Sequence, residues 1–268
     1  MAGASAVGSK VFSVRPAEVF FVVFVARRKT AGTSIKFQNN EYAQRDTIMQ
    51  LFTSTVGRKV LMAITGQFMV LFVIVHMLGN SSIFIPGGIN AYAEHLHALP
   101  PLVWGFRLVM VVVASIHVLF GVQLSLENRA ANAEPYAVKN LKKATLASTS
   151  MLYTGLLLLA FIIYHLLHFT IRVTPDIKIG VDALGRIDVF GMVTNSFSHG
   201  IVAFIYIAAM VVLFLHLSHG IQSFFQTMGW NNEKTLPVFG KIGMVAAVVL
   251  LLGYASIPFV IVTGILKG

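Results

Sequence analysis

Long apolar runs dominate the chain, and histidines are set deep inside four of them. The first such run is VLMAITGQFMVLFVIVHMLGN, residues 60–80, with His76 near its end. In a bilayer there is no water for an exposed N–H or C=O, so a spanning segment must satisfy its own backbone. A single segment achieves this only as an α-helix, which needs about 20 apolar residues to cross. Five runs qualify, at roughly residues 59–79, 104–126, 144–169, 197–222 and 241–266. The expected fold class is therefore an all-α integral membrane protein with five transmembrane helices.

Composition supports this reading. Of 268 residues, 56% are hydrophobic and only 11% are charged, against about a quarter charged in a soluble domain. The net charge of +10 would suggest nucleic acid in a soluble protein. Here most of the basic residues lie outside the spans, where they set orientation, so no nucleic-acid partner is expected. The chain has no cysteine. That excludes thiolate-held iron–sulfur clusters, thioether-attached haem and disulfides in this chain. A metal would have to be held by His, carboxylate, Met or backbone oxygen.

Residues 1–58 read as a cytoplasmic N-terminal segment. Its apolar piece VFFVVFVA is too short to span and runs into Arg27, Arg28 and Lys29, so it is expected to be interfacial or partner-bound. Residues 59–268 form the five-span domain. After the first span, Pro86, Gly87 and Gly88 break the chain. Residues 90–98 then predict a short surface helix, ended by Pro100 and Pro101. With the N-terminus in the cytoplasm, Arg58, Lys59, Arg129, Lys139, Lys142, Lys143, Lys234 and Lys241 lie inside. The outer connectors carry either no Lys or Arg, or Arg172, Lys178 and Arg186 balanced by Asp176, Asp182 and Asp188. The expected topology is N-terminus in and C-terminus out, in a bacterial cytoplasmic (inner) membrane.

The histidines sort by depth. His76 comes late in an outgoing span, and His165 and His168 come late in the next outgoing span. His117 lies past the middle of an ingoing span, and His216 and His219 come late in the other. An outer level thus joins His76 with His165 or His168, and an inner level joins His117 with His216 or His219. Ionisable side chains are costly in lipid and usually functional. Four spans each offering an imidazole at one of two depths suit two stacked bis-histidine haems in a four-helix bundle. A zinc site is disfavoured because no compact ligand cluster is evident. In HLLH and HLSH only one member can bind iron; its partner would contact a propionate or a quinone carbonyl.

Several stretches carry a family likeness: STVGRKVLMAITGQFMVLFVIVHMLGN, INAYAEHLHALP, HVLFGVQLSLENRAAN, YHLLHF and FLHLSHGIQSFFQTMGW. Between Ser54 and Trp230 the chain resembles the dihaem cytochrome b subunit of succinate dehydrogenase and fumarate reductase, the succinate:quinone oxidoreductases. The resemblance implies axial ligands His76, His117, His165 and His216, paired His76/His165 and His117/His216. His216 is preferred over His219 because Gly220 and Gly229 fall at the family's spacings from it, and His165 over His168 from HL-x-x-F. The cofactors implied are two haem b and a quinone, expected to be menaquinone. Glu94 and His95 are the nearest polar candidates for the quinone. The partners implied are an iron–sulfur subunit and an FAD flavoprotein that oxidises succinate, together with membrane lipid. This chain is then the quinone-reducing membrane subunit, with no dicarboxylate site and no catalytic residue of its own. Some relatives have a glutamate two positions before the fourth-span ligand; Phe214 stands there, so that proton route is not expected. The alternatives are a dihaem anchor of a formate dehydrogenase or hydrogenase, and a haem-free transporter with histidines along a proton path.

Overall fold

The protein is described by a computed structural model covering residues 49–131 and 145–267. The expected N-terminal interfacial segment, up to residue 48, and the Lys139–Lys143 stretch lie outside the described residues.

Among the described residues eight α-helices follow one another: α1 (Thr55–Asn80), α2 (Gly88–His97), α3 (Pro100–Ala131), α4 (Leu146–Thr149), α5 (Met151–His165), α6 (Val189–Ser198), α7 (Gly200–Thr227) and α8 (Thr235–Val262). A π-helical turn, Leu166–Ile171, extends α5. Five of these segments are long and apolar enough to cross a membrane: α1 with the turn after it, α3, α5 with its π-turn, α7 and α8. The five spans and the surface helix read from the sequence are all present.

Each start has a local cause. The Ser54 hydroxyl accepts the Gly57 N–H at 3.0 Å, capping α1 four residues earlier than expected. Asp188 caps α6 by accepting the Gly191 N–H at 2.9 Å. That helix falls in a stretch read from sequence as polar connector and the start of the fourth span. The chain instead turns at His199, whose backbone is extended, and α7 starts at Gly200.

Packing follows the lipid setting. The buried residues of α1 are Gly57, Arg58, Thr65 and Gly79, whereas Leu71, Val75 and Leu78 are exposed. Small and polar residues inside and apolar ones outside are what a bilayer, itself apolar, allows. α1 packs on α3, α5 on α7, α1 on α7, and α3 touches α5. These four spans form a ring in which α1 faces α5, and α3 faces α7, across the middle. α8 lies along α7 and is tied to α1 by the Tyr254 hydroxyl, which donates to the Val73 carbonyl at 2.7 Å.

At one end α2 and α6 close the ring. Asn90, nearly buried on α2, accepts the Phe190 N–H at 2.8 Å and donates to Asp188 at 3.1 Å and Asp182 at 3.2 Å. At the other end Arg58 of α1 forms a two-pronged pair with Glu127 of α3, at 2.8 and 2.9 Å.

Candidate functional site

Two imidazole pairs sit inside the ring, each made across a diagonal. The ring centres of His76 (α1) and His165 (α5) are 6.0 Å apart with planes at 80°. Those of His117 (α3) and His216 (α7) are 6.3 Å apart at 71°.

The pairs occupy two levels, and the spacing between them is written three times into the sequence. A Cβ on Gly66 would stand 2.8 Å from His117 Cε1, and one on Gly155 would stand 3.4 Å from His216 Cε1. The Tyr206 hydroxyl lies 3.3 Å from His165 Nδ1. Gly66, Gly155 and Tyr206 each precede their own span's histidine (His76, His165, His216) by ten residues. At 1.5 Å rise per residue the levels are about 15 Å apart.

Partners orient most of these rings. His117 Nδ1 donates to the Met62 carbonyl at 2.9 Å. Thr154 gives its own proton to the Ser150 carbonyl at 3.0 Å, so its oxygen is left to accept from His216 Nδ1 at 3.1 Å. His165 Nδ1 reaches Tyr206. In all three the second nitrogen, Nε2, is left with its lone pair, the tautomer a metal-binding imidazole requires. His76 is held differently: Phe72 stacks on it at 5.2 Å, and Asn80 Nδ2 lies 3.4 Å from both ring nitrogens.

The doublets separate. His168 is fully buried with both nitrogens engaged: Nδ1 with the Tyr206 hydroxyl at 2.8 Å, Nε2 with Asp176 at 2.7 Å and Ser196 at 3.1 Å. Ser196 also donates to Asp176 at 2.6 Å. Burial raises the Asp176 carboxyl, but the hydrogen bonds from Ser196 and His168 outweigh it and hold it at about 2, so it is ionised at neutral pH. His219 lies one turn past His216 and is half-buried. Glu94, His95 and His97 are exposed on α2, and Arg186 stands 4.0 Å from Glu94.

Residues 127–255, from the end of α3 into α8, match the family described as "Succinate dehydrogenase/Fumarate reductase transmembrane subunit". Over this stretch, 129 of the 268 residues, the chain is similar to that transmembrane subunit. No curated protein and no solved structure matches it. The match takes in His165, His168, His216 and His219 and stops short of His76 and His117.

The donor sets are those that b haem, the cofactor expected from the sequence, would need. Two imidazoles bound through Nε2 to opposite faces of one metal, at about 2 Å each, have centres about 6 Å apart. Both pairs meet that separation across diagonals where the helices do not pack closely. Among the described residues no three His, Asp or Glu side chains gather as a protein-only metal site would need.

Some residues around these pairs escaped the sequence reading. The Met62 carbonyl leaves no signal in a sequence. Tyr206 does leave one, because a phenol in an apolar span needs a partner for its hydroxyl. Asp176 and Ser196 were hidden because their elements meet His168 only in the fold.

Proposed function

We propose that this chain is the electron-carrying membrane anchor of its complex, holding two b haems and serving a partner iron–sulfur subunit on one side and a membrane quinone on the other. His76 with His165 would hold one haem, and His117 with His216 the other. Haem supplies one-electron chemistry at each level. The chain's own part is to hold the imidazoles in a fixed tautomer, to exclude water, and to space the levels about 15 Å apart along the bilayer normal.

What supports the reading is one arrangement repeated at two depths. Diagonal histidines stand 6.0 and 6.3 Å apart, and three of the four have Nδ1 engaged and Nε2 free. Arg58, Lys59 and Arg129 stand at the His117/His216 end, where the iron–sulfur subunit would dock. Glu94 and His95 are the polar groups that α2 offers a quinone, expected to be menaquinone, at the opposite end.

The test is a haem count and a reduced-minus-oxidised spectrum of the purified complex. Two haems per anchor are expected. His76→Ala or His165→Ala should remove one and spare the other, and His117→Ala or His216→Ala should do the converse. A colourless complex, or loss of both haems from every variant, would overturn the assignment.

A further inference from the structure

We propose that Asp176, acting through His168 and Tyr206, orients His165 and makes it a more electron-rich ligand than its three counterparts. This rests on the proposed role of His165 as an axial ligand.

The hydrogen bonds settle their own direction. An ionised carboxylate only accepts, so His168 Nε2 and the Ser196 hydroxyl must both donate to Asp176. A neutral imidazole has one proton; with it on Nε2, His168 Nδ1 accepts from the Tyr206 hydroxyl at 2.8 Å. The Tyr206 oxygen then accepts from His165 Nδ1 at 3.3 Å. Every donor in the chain points from His165 toward Asp176, which leaves His165 Nε2 with its lone pair.

The surroundings favour transmission of the charge. His168 is fully buried and Tyr206 nearly so. Phe169 stacks on His168 at 4.0 Å, and Phe197 packs on Tyr206 at 4.9 Å. Linked hydrogen bonds in such low-dielectric surroundings polarise one another. A carboxylate at the far end of an imidazole's hydrogen bond raises the basicity of that ligand. The other level has no counterpart: His117 and His216 end on a neutral carbonyl and a neutral hydroxyl. The Asp176 chain therefore distinguishes one level from the other and favours ferric iron at His76/His165.

Asp176, His168 and Tyr206 are positioning residues, and redox titration of the purified complex, followed optically, tests them. Asp176→Asn should raise the midpoint potential of the His76/His165 haem and leave the other unchanged, while Asp176→Glu restores it. Tyr206→Phe keeps the ring and breaks the chain, so it should raise the same potential. The Asp176→Asn shift should then shrink or vanish in the Tyr206→Phe background. If Asp176→Asn costs that haem altogether, Tyr206→Phe alone reads the effect. An unmoved potential, equal shifts in both haems, or an Asp176→Asn shift undiminished in the Tyr206→Phe background would overturn the proposal. A wild-type complex without haem would instead sink the function on which it rests.

Discussion

The His117 and His216 rings stand where they do because glycines face them. Gly66 lies so close to His117 that a methyl group there would sit 2.8 Å from Cε1 and 3.0 Å from Nδ1. The ring cannot yield without giving up its bond to the Met62 carbonyl. Gly66→Ala should therefore lower affinity for the haem at this level by on the order of tenfold, the scale of losing an outer-shell partner, and leave the other haem in place. Gly155→Ala should be milder, since its Cβ would be 3.4 Å from His216. Gly121→Ala should be silent, because its Cβ would make ordinary contact with Met62 at 3.8 Å. Haem-to-protein ratios of the three variants check this order; equal ratios would show that the rings are not crowded.

Between elements, the pair that joins α1 to α3 matters most at the basic end. Arg58 is nearly buried, whereas the Glu127 side chain is 40% exposed. Breaking a fully buried pair costs about 3–5 kcal/mol, but water reaching Glu127 reduces that to about 1–2 kcal/mol. Glu127→Gln should lower the unfolding midpoint of the detergent-solubilised complex by a few degrees, and the exchange Arg58→Glu with Glu127→Arg should recover part of it. No change in midpoint would mean that the pair holds nothing together. At the other end, α6 had been hidden inside an apparently polar connector. Its Met192, Val193 and Phe197 are buried, and it carries Ser196 to Asp176, so the connector is part of the site's wall.

On the scale of the whole molecule, charge separates the two ends. Arg58, Lys59, Arg129, Lys234 and Lys241 gather at the His117/His216 end, and the opposite connector offsets its basic residues with Asp176, Asp182 and Asp188. Basic loops stay in the cytoplasm, so the His117/His216 level should face inward. The absence of native cysteine makes this directly testable. An impermeant maleimide should label Leu184→Cys, an exposed position in the connector, in intact cells. It should label Asn232→Cys, exposed between α7 and α8, only after permeabilisation. The opposite pattern would invert the orientation.

The spans, their number and the two histidine depths were legible in the sequence. They follow from hydropathy and helical rise, which act along one segment at a time. Depth alone left His76 with His165 or His168, and His117 with His216 or His219; in the structure the rings of His76 and His165 stand 6.0 Å apart and those of His117 and His216 stand 6.3 Å apart. Tertiary structure alone decided which helices face one another across the ring, and which member of the third-span doublet is spent on other partners. His168 looks no different from His165 in HLLH. It differs because Asp176, Ser196 and Tyr206 arrive from three other segments and take both of its nitrogens, and an encounter between distant parts of the chain leaves no periodicity to read.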